Sequence, residues 1–467
     1  MKKVIFLLLD GARCDILNTL LNKEELPNLK NLIHDGSYIE ATSVFPSTTG
    51  PAYSPFLIGR FPGHVNLPGI RWFNKSSYSR NRFASESHRS YVGLESKFFN
   101  QDLKKAYKTI FELIPNSVSI FNEMTRGLDS ARDLTKYSKI FYKLSSHFMG
   151  SSSIDKVAFS KLENSLNGNN LFHFCCLYGI DSKSHLIGSD SVEVVKLYKE
   201  FDNSLGKLIN ELKLSNSYDD TLILISSDHG HSNTSQHFDL VNFIQSKGKS
   251  VFYYPLVHQK IYKDFDASVM VSGNSMAHIY LKNGDSWSQP YIQNDHSDII
   301  DSLLLHDAID IILSKNLKGG INIISKNGKA IVRDEESSIY YQPLENDPFK
   351  YSLPEGYYTY NEILEKTFNT NYPDSLTQIL QLFNSSRCGD IVVSASPGWD
   401  LRDKFEYPEH KSSHGSLVAQ HMKVPLISNK KIASKALART VDIFPTVLDY
   451  LNISSTNKID GKSLNIY

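Results

Sequence analysis

Seven side chains spread along the sequence have the types and settings that metal-assisted phosphate chemistry uses. Asp228 and His229 end the run Thr221–Ser227, and Gly230 follows. Asp10 ends the apolar run Val4–Leu9. Thr48 and Thr49 lie in Phe45-Pro46-Ser47-Thr48-Thr49-Gly50-Pro51, just past a strand-like stretch. Asp181 and His185 are one helical turn apart, and His414 sits in Ser413-His414-Gly415. Brought together, they offer three carboxylates, three imidazoles and a hydroxyl. Mixed Asp and His donors suit zinc or a similar divalent ion, whereas an all-oxygen set would suit magnesium. This many donors exceeds one tetrahedral ion. It suits two ions ~3.5–4 Å apart, the separation that clamps phosphoryl oxygens. A hydroxyl of Thr48 or Thr49 beside such an ion loses its proton more readily and becomes a nucleophile toward phosphorus. A threonine entering a helix at Gly50-Pro51-Ala52 also lies near free backbone N–H groups, which favour an anionic phosphoryl oxygen.

The elements that must position these residues read as follows. Val4–Leu9, Leu171–Leu177 and Thr221–Ser227 are apolar runs of strand length, as for parallel strands covered on both faces. Pro27–Ile33 predicts a short helix with Pro near its start, Gly36–Val44 a strand, and Ala52–Ile58 a helix ended by Gly59. Val194, Leu197, Phe201, Leu205, Leu208 and Leu212 step by three and four, predicting a long amphipathic helix over Ser191–Leu214. Further strands are expected at Ala277–Leu281, Gly320–Ile324, Asp390–Ser394 and Val424–Ser428. Helices are expected near 101–114 and 155–166, at Asp298–Leu313 and at Ala433–Leu451. The alternation is interrupted twice, at about 65–168 (cap-like) and 232–385 (accessory, irregular). The expected fold is therefore α/β: one domain over 1–467, with a doubly wound, mostly parallel sheet and two inserted regions.

Composition narrows the function classes. Among 467 residues, Lys plus Arg and Asp plus Glu both number 50, so the formal net charge is zero. There is thus no specific nucleic-acid signal and no global attraction to an anionic membrane. The sequence sets no oligomeric state. Hydrophobic residues at 40% and aromatics at 11% supply a sizeable core. The four cysteines include no Cys-x-x-Cys pair and read as buried, reduced thiols. Met-Lys-Lys precedes only six apolar residues before Asp10, shorter than a signal core of ~7–15. No stretch reaches the ~20 apolar residues of a membrane span, so a soluble cytoplasmic protein is expected.

The ordered blocks resemble the alkaline phosphatase superfamily, and most closely its type I phosphodiesterase/nucleotide pyrophosphatase branch. They are Leu8-Leu9-Asp10-Gly11, Phe45-Pro46-Ser47-Thr48-Thr49, Leu57-Ile58-Gly59-Arg60-Phe61-Pro62-Gly63-His64 and Tyr178-Gly179-Ile180-Asp181-Ser182-Lys183-Ser184-His185. Asp202-Asn203-Ser204-Leu205-Gly206, Ser227-Asp228-His229-Gly230 and His414-Gly415-Ser416-Leu417 complete the set. The resemblance implies an alkaline-phosphatase-like three-layer α/β/α sandwich. It assigns one ion to Asp181, His185 and His414, and a second to Asp10, Thr49, Asp228 and His229. It makes Thr49, not Thr48, the nucleophile. It implies two divalent metals, zinc above all, with manganese or magnesium as alternatives.

Departures from the family pattern are informative. The branch often carries Pro-Asn-His after the nucleophile, where this chain has Pro51-Ala52-Tyr53. A phosphoryl oxygen must then find other donors: the backbone at Thr49 or Gly50, or Arg13, Arg60 or Arg71. His231 and His237 lie just past Asp228-His229-Gly230 and read as lining the substrate cleft or as loop or surface residues, and His173 and His278 read as core. Lys183 and Lys411 read as solvated. Trp72, Phe73, Tyr78, Phe98 and Phe99 would stack a nucleobase, cover a lipid-like group or pack as core. The expected activity is hydrolysis of phosphodiester or pyrophosphate bonds in a small-molecule phosphate ester, through phospho-Thr49. The alternatives are a phosphomonoesterase or phospho-group transferase on the same site, or a metal-binding module without turnover. A sulfatase is disfavoured, since Thr49-Gly50-Pro51-Ala52-Tyr53 lacks the Cys/Ser-x-Pro-x-Arg block.

Overall fold

Three parallel strands carry most of the candidate ligands. They are β1 (Lys3–Leu9), β4 (Phe172–Leu177) and β5 (Thr221–Ser226). With β2 (Ser37–Thr42), β3 (Ser117–Ile120), β6 (Lys423–Ser428) and β7 (Ala438–Arg439) they form a seven-stranded sheet in the order β7-β2-β6-β5-β1-β4-β3. The computed structural model describes residues 1–139, 152–261, 263–288, 297–316, 319–404, 406, 408–433 and 437–467. In β1 the register runs Leu9↔Leu177 toward β4 and Leu8↔Ser226 toward β5. The three carboxyl ends are therefore level, and whatever follows each strand emerges at one edge. β4 and β5 are buried throughout, as continuous apolar runs covered by helices on both faces should be.

The sheet is mixed rather than wholly parallel. β5-β1-β4-β3 run parallel, but β6 pairs antiparallel with both β5 and β2. Helix α1 (Pro27–Asp35) has Pro at its first turn, and α2 (Gly179–Ile187) follows β4 directly. Helix α3 (Val192–Leu214) is capped by the Ser191 side chain, which accepts from the Val194 N–H. Its predicted apolar stripe, from Val194 to Leu212, is buried against the sheet core. Asp202, on that stripe, accepts from the N–H groups of Asn28 (3.3 Å) and Leu29 (2.7 Å) at the start of α1. A Cβ at Gly206 would lie 2.5 Å from the Asn28 side chain. The block Asp202–Gly206 is therefore an α1–α3 joint, not part of the chemistry.

The interval 232–385 is more regular than the sequence reading expects. It supplies all but one strand of a nine-stranded sheet, whose remaining member, Ile391–Ala395, sits fourth from one edge. Every pairing in it is antiparallel except Val251–Phe252 with Ala267–Ser268. The expected Asp390–Ser394 strand thus belongs to this second sheet. The expected helix over Asp298–Leu313 splits into a helix, Ser297–Leu304, and a strand, Ile309–Lys315. The β-branched run Ile309, Ile311, Ile312 fits a strand covered on both faces, and periodicity alone does not separate the two readings. The expected final helix begins only at Ile443, after β7 and the turn Thr440–Asp442. The region near 101–114 holds two single-turn helices, Phe99–Asp102 and Ile110–Leu113.

The second sheet also anchors the threonine loop. Phe45 packs into its core beside Met276, Leu376 and Leu417. On helix α4 (Ser375–Phe383), Gln378 accepts from the Phe45 N–H at 3.2 Å and Gln381 donates to the Phe45 carbonyl at 2.6 Å. Among the described residues, no helix is long and apolar enough to cross a membrane.

Candidate active site

Asp10 follows β1, Asp228 and His229 follow β5, and Asp181 and His185 lie on α2 after β4. His414 arrives from the far end of the chain, held where its N–H donates to the Gly273 carbonyl at 3.1 Å. The structure brings these residues together. Ligand atoms of Asp10, Asp181 and His229 all lie within 4.8 Å of one another, as do those of Asp181, His185, His231 and His414. Asp181 belongs to both groups. The His229 and His414 rings stack with centroids 3.7 Å apart.

The threonines divide clearly. Thr49 Oγ1 is 3.1 Å from His229 Nε2 and 3.3 and 3.4 Å from the two Asp10 oxygens. Thr48 Oγ1 is buried with no hydrogen-bond partner. Gly50, next in the chain, has φ +96°, a conformation that favours glycine. Phe99 fills the space beside it.

The imidazoles are oriented for ligation. His185 Nδ1 lies 2.8 Å from the Ser412 carbonyl, His414 Nδ1 2.9 Å from the Ser47 carbonyl, and His229 Nδ1 3.1 Å from the Gly230 carbonyl. A carbonyl only accepts, so each Nδ1 carries the proton and each Nε2 lone pair is left for an ion. The carboxylates are short of positive charge. Burial, then Asp228 and Asp181, pushes Asp10 well above the usual carboxylate range. Burial also pushes Asp228 up. For Asp181 burial acts upward too, but His185 and His231 outweigh it and hold the group well below its ordinary value. Both Asp228 side-chain oxygens are buried with no hydrogen-bond partner. Leaving a carboxylate buried and unpaired is costly, so this donor set fits divalent cations.

His231 is not a surface residue; of its sequence readings, the one at the site is the nearer. It is fully buried, and its Nε2 lies 2.9 Å from Asp181 Oδ1 while its Nδ1 faces Ser412 Oγ at 3.1 Å. The carboxylate accepts, so Nε2–H donates and Nδ1 takes the serine proton. Ser412 thus steadies His231 through its hydroxyl and His185 through its carbonyl. A Cβ on Gly11 would meet the His231 ring at 2.7 Å, so the glycine makes room for it. The signal available in the sequence was the third donor in Asp228-His229-Gly230-His231.

The remaining expectations fall as follows. Ala52 packs with Val44, Phe61 and Val441, turned into an apolar cluster. Its neighbour Tyr53 is buried with its hydroxyl 3.4 Å from Asp10 Oδ2 and 3.1 Å from Cys176 Sγ. Arg13 is paired with Asp15 and Asp190, and Arg60 with Asp460. Arg71 donates to the Val271 carbonyl at 2.9 Å and lines a separate pocket. His237 lies 2.9 Å from the Arg402 carbonyl and 3.0 Å from Glu409. His173 and His278 are buried in strands. Lys411 pairs with Glu409. Trp72, Phe73, Tyr78 and Phe99 are core, and Phe98 lies under the Arg89 guanidinium.

A family model described as type I phosphodiesterase / nucleotide pyrophosphatase matches residues 4–417. The chain belongs to that family. Within the type I phosphodiesterases it is 24% identical over 244 residues to the bis(5'-adenosyl)-triphosphatase ENPP4 of Pongo abelii and to that of Homo sapiens. The match takes in 50% of this chain and 48% of each relative, so the chain spans about half the length of these curated relatives. Among solved structures, phosphonoacetate hydrolase from Sinorhizobium meliloti 1021 superposes with a TM-score of 0.58 at 17% identity, covering 96% of this chain and 95% of that one. An inactive variant of murine ectonucleotide pyrophosphatase/phosphodiesterase 5 with AMP gives 0.58 at 14%, covering 99% and 98%. These likenesses establish the alkaline-phosphatase-like α/β fold of the type I phosphodiesterase chain.

Proposed function

We propose that this chain hydrolyses phosphodiester or pyrophosphate bonds of a small-molecule phosphate ester, with Thr49 as nucleophile and two divalent ions, zinc above all, at the site. Asp181, His185 and His414 would hold one ion, and Asp10, Thr49, Asp228 and His229 the other. The observation that carries this reading is Thr49 Oγ1 within 3.4 Å of Asp10 and His229, beside the Asp228 carboxylate, whose oxygens have no hydrogen-bond partner. Such ions, when bound, supply Lewis-acid stabilisation of the attacking and leaving oxygens.

The chain's own groups do the rest. Thr49 Oγ1 attacks phosphorus, the bond to the leaving oxygen breaks, and the phosphoryl group rests on Thr49. Water then attacks that phosphorus, releasing the product and returning the hydroxyl. The Thr49 and Gly50 N–H groups, rigid beside the turn Pro51–Tyr53, are the donors for a phosphoryl oxygen in place of the missing Asn. Arg13 and Arg60 are both committed to carboxylates, so neither is available for the second charge of a monoester. The unpaired thiols, three of them buried, support the cytoplasmic placement.

Turnover of bis(p-nitrophenyl) phosphate tests this. Chelation should abolish it, zinc or manganese should restore it, and Thr49→Ala should lower it about 1,000-fold or more while Thr48→Ala retains most of it. Metal-free protein with full activity, or the reverse ranking of the two threonines, would sink the reading.

A further inference from the structure

A second, open pocket lies at the end of the strand Ala267–Ser272. Three cations, Arg71, Arg402 and Lys404, line it with two carboxylates, Asp239 and Asp403, and with Tyr253. Lys404 is neutralised by Asp239 at 3.3 Å. Arg71 is different. Its Nη1 donates to the Val271 carbonyl, but its Nε is buried with no hydrogen-bond partner. Among the described residues, no carboxylate lies within ion-pair distance of its guanidinium. Burial, then the neighbouring Arg402, pushes its pKa down to about 9. It stays charged near neutrality, and a guanidinium held there has a planar fork of donors to offer an oxyanion.

The pocket is tied to the site by one short segment. Arg71 is anchored on Val271, and the residue before Arg402, Leu401, donates to the Asn274 carbonyl at 2.9 Å. Between them, Gly273 accepts from the His414 N–H, and a Cβ there would meet His414 at 2.8 Å. From Val271 to Gly273 is two residues, roughly 7 Å of extended chain. In-line displacement places the leaving oxygen opposite the nucleophile. Thr49 stands with Asp10 and His229, so the leaving group departs toward Asp181, His185 and His414, and His414 is the residue that Gly273 of the pocket's segment touches.

We propose that Arg71 and Arg402 form an anion subsite that receives a phosphate or carboxylate carried by the substrate's leaving group. This rests on the phosphoesterase reading above. The two candidate anions share one chemistry, a planar or tetrahedral oxyanion taken by guanidinium forks.

The test uses the metal-loaded full chain and thymidine 5'-phosphoryl esters differing only in the leaving group: p-nitrophenol, p-hydroxybenzoate, or pyrophosphate. The wild type should favour an anionic leaving group over nitrophenol in kcat/KM. Arg71→Gln should shrink that preference about tenfold or more, chiefly through KM, and Arg71→Lys should restore part of it. The arm that collapses, carboxylate or phosphate, names the natural anion. Equal losses on all three esters, or none, would overturn the proposal. If Arg71→Gln does not fold, Arg402→Gln carries the same comparison. If the wild type cleaves no ester, the phosphoesterase reading fails. The subsite is then decided by calorimetry with inorganic pyrophosphate: binding lost in Arg71→Gln supports it, and no binding by the wild type overturns it.

Discussion

At the scale of single residues, the candidate ligands other than His414 were legible because each ends or closely follows a recognisable element; His414 was legible only through the family's order of blocks. Asp10 and Asp228-His229 cap apolar runs, and Asp181 and His185 share one helix face. His231 was not legible, because its role depends on Ser412 and Gly11, far away in sequence, and on Asp181 lying within 2.9 Å. Its ring donates to one Asp181 oxygen and so would fix how that carboxylate faces an ion bound there. Replacing His231 with Ala should weaken binding of the ion at Asp181, His185 and His414 roughly 10–100-fold. Competition titration against a zinc chelator would read this. Affinity equal to the wild type would show that Asp181 needs no such support. Ala52 was legible as a departure, but only the fold reveals that its neighbour Tyr53 is the one facing Asp10.

At the scale of elements, the strands β1, β4 and β5 and the long helix Val192–Leu214 were read nearly to the residue, since six apolar residues at steps of three and four leave little choice, whereas the parallel strand β3 was not read. The antiparallel sheet was largely missed. Its strands are short, and an isoleucine-rich run such as Ile309–Lys315 carries the same composition as a buried helix. That sheet is not an appendage: through Phe45, Gln378 and Gln381 it holds the loop that presents Thr49. One of its strands also carries a pH-dependent weakness. Asp310 is mostly buried, its Oδ2 has no partner, and Tyr372 donates to its Oδ1 at 3.0 Å. Burial raises its pKa to about 6, despite the Tyr372 bond, above the ~3.9 of an unfolded chain. The folded state therefore binds this proton more tightly than the unfolded state. The stabilisation is complete below about pH 4 and is lost as pH rises through about 6. Asp310→Asn should then raise Tm relative to the wild type above pH 7 and lose that advantage near pH 4. A difference independent of pH would contradict this.

At the scale of the whole molecule, two sheets meet around one constellation. The parallel half of the first sheet supplies Asp10, Asp181, His185, Asp228 and His229 at its carboxyl edge. The threonine loop and His414 come in from segments braced by the second sheet, through Phe45 and Gly273. The family order of blocks foretold the constellation, but not that distant regions must dock before Thr49 and His414 reach it. The same sheet also holds Arg71, through the Val271 carbonyl. The central claim is that phosphorus passes through Thr49. Acid quench of the zinc-loaded protein with a diester, followed by intact and peptide mass analysis, addresses it most directly. The account predicts the mass of the transferred phosphoryl ester group on the peptide containing Thr49, absent in Thr49→Ala and present in Thr48→Ala. Steady diester turnover with no adduct on Thr49, or an adduct that persists in Thr49→Ala, would contradict it.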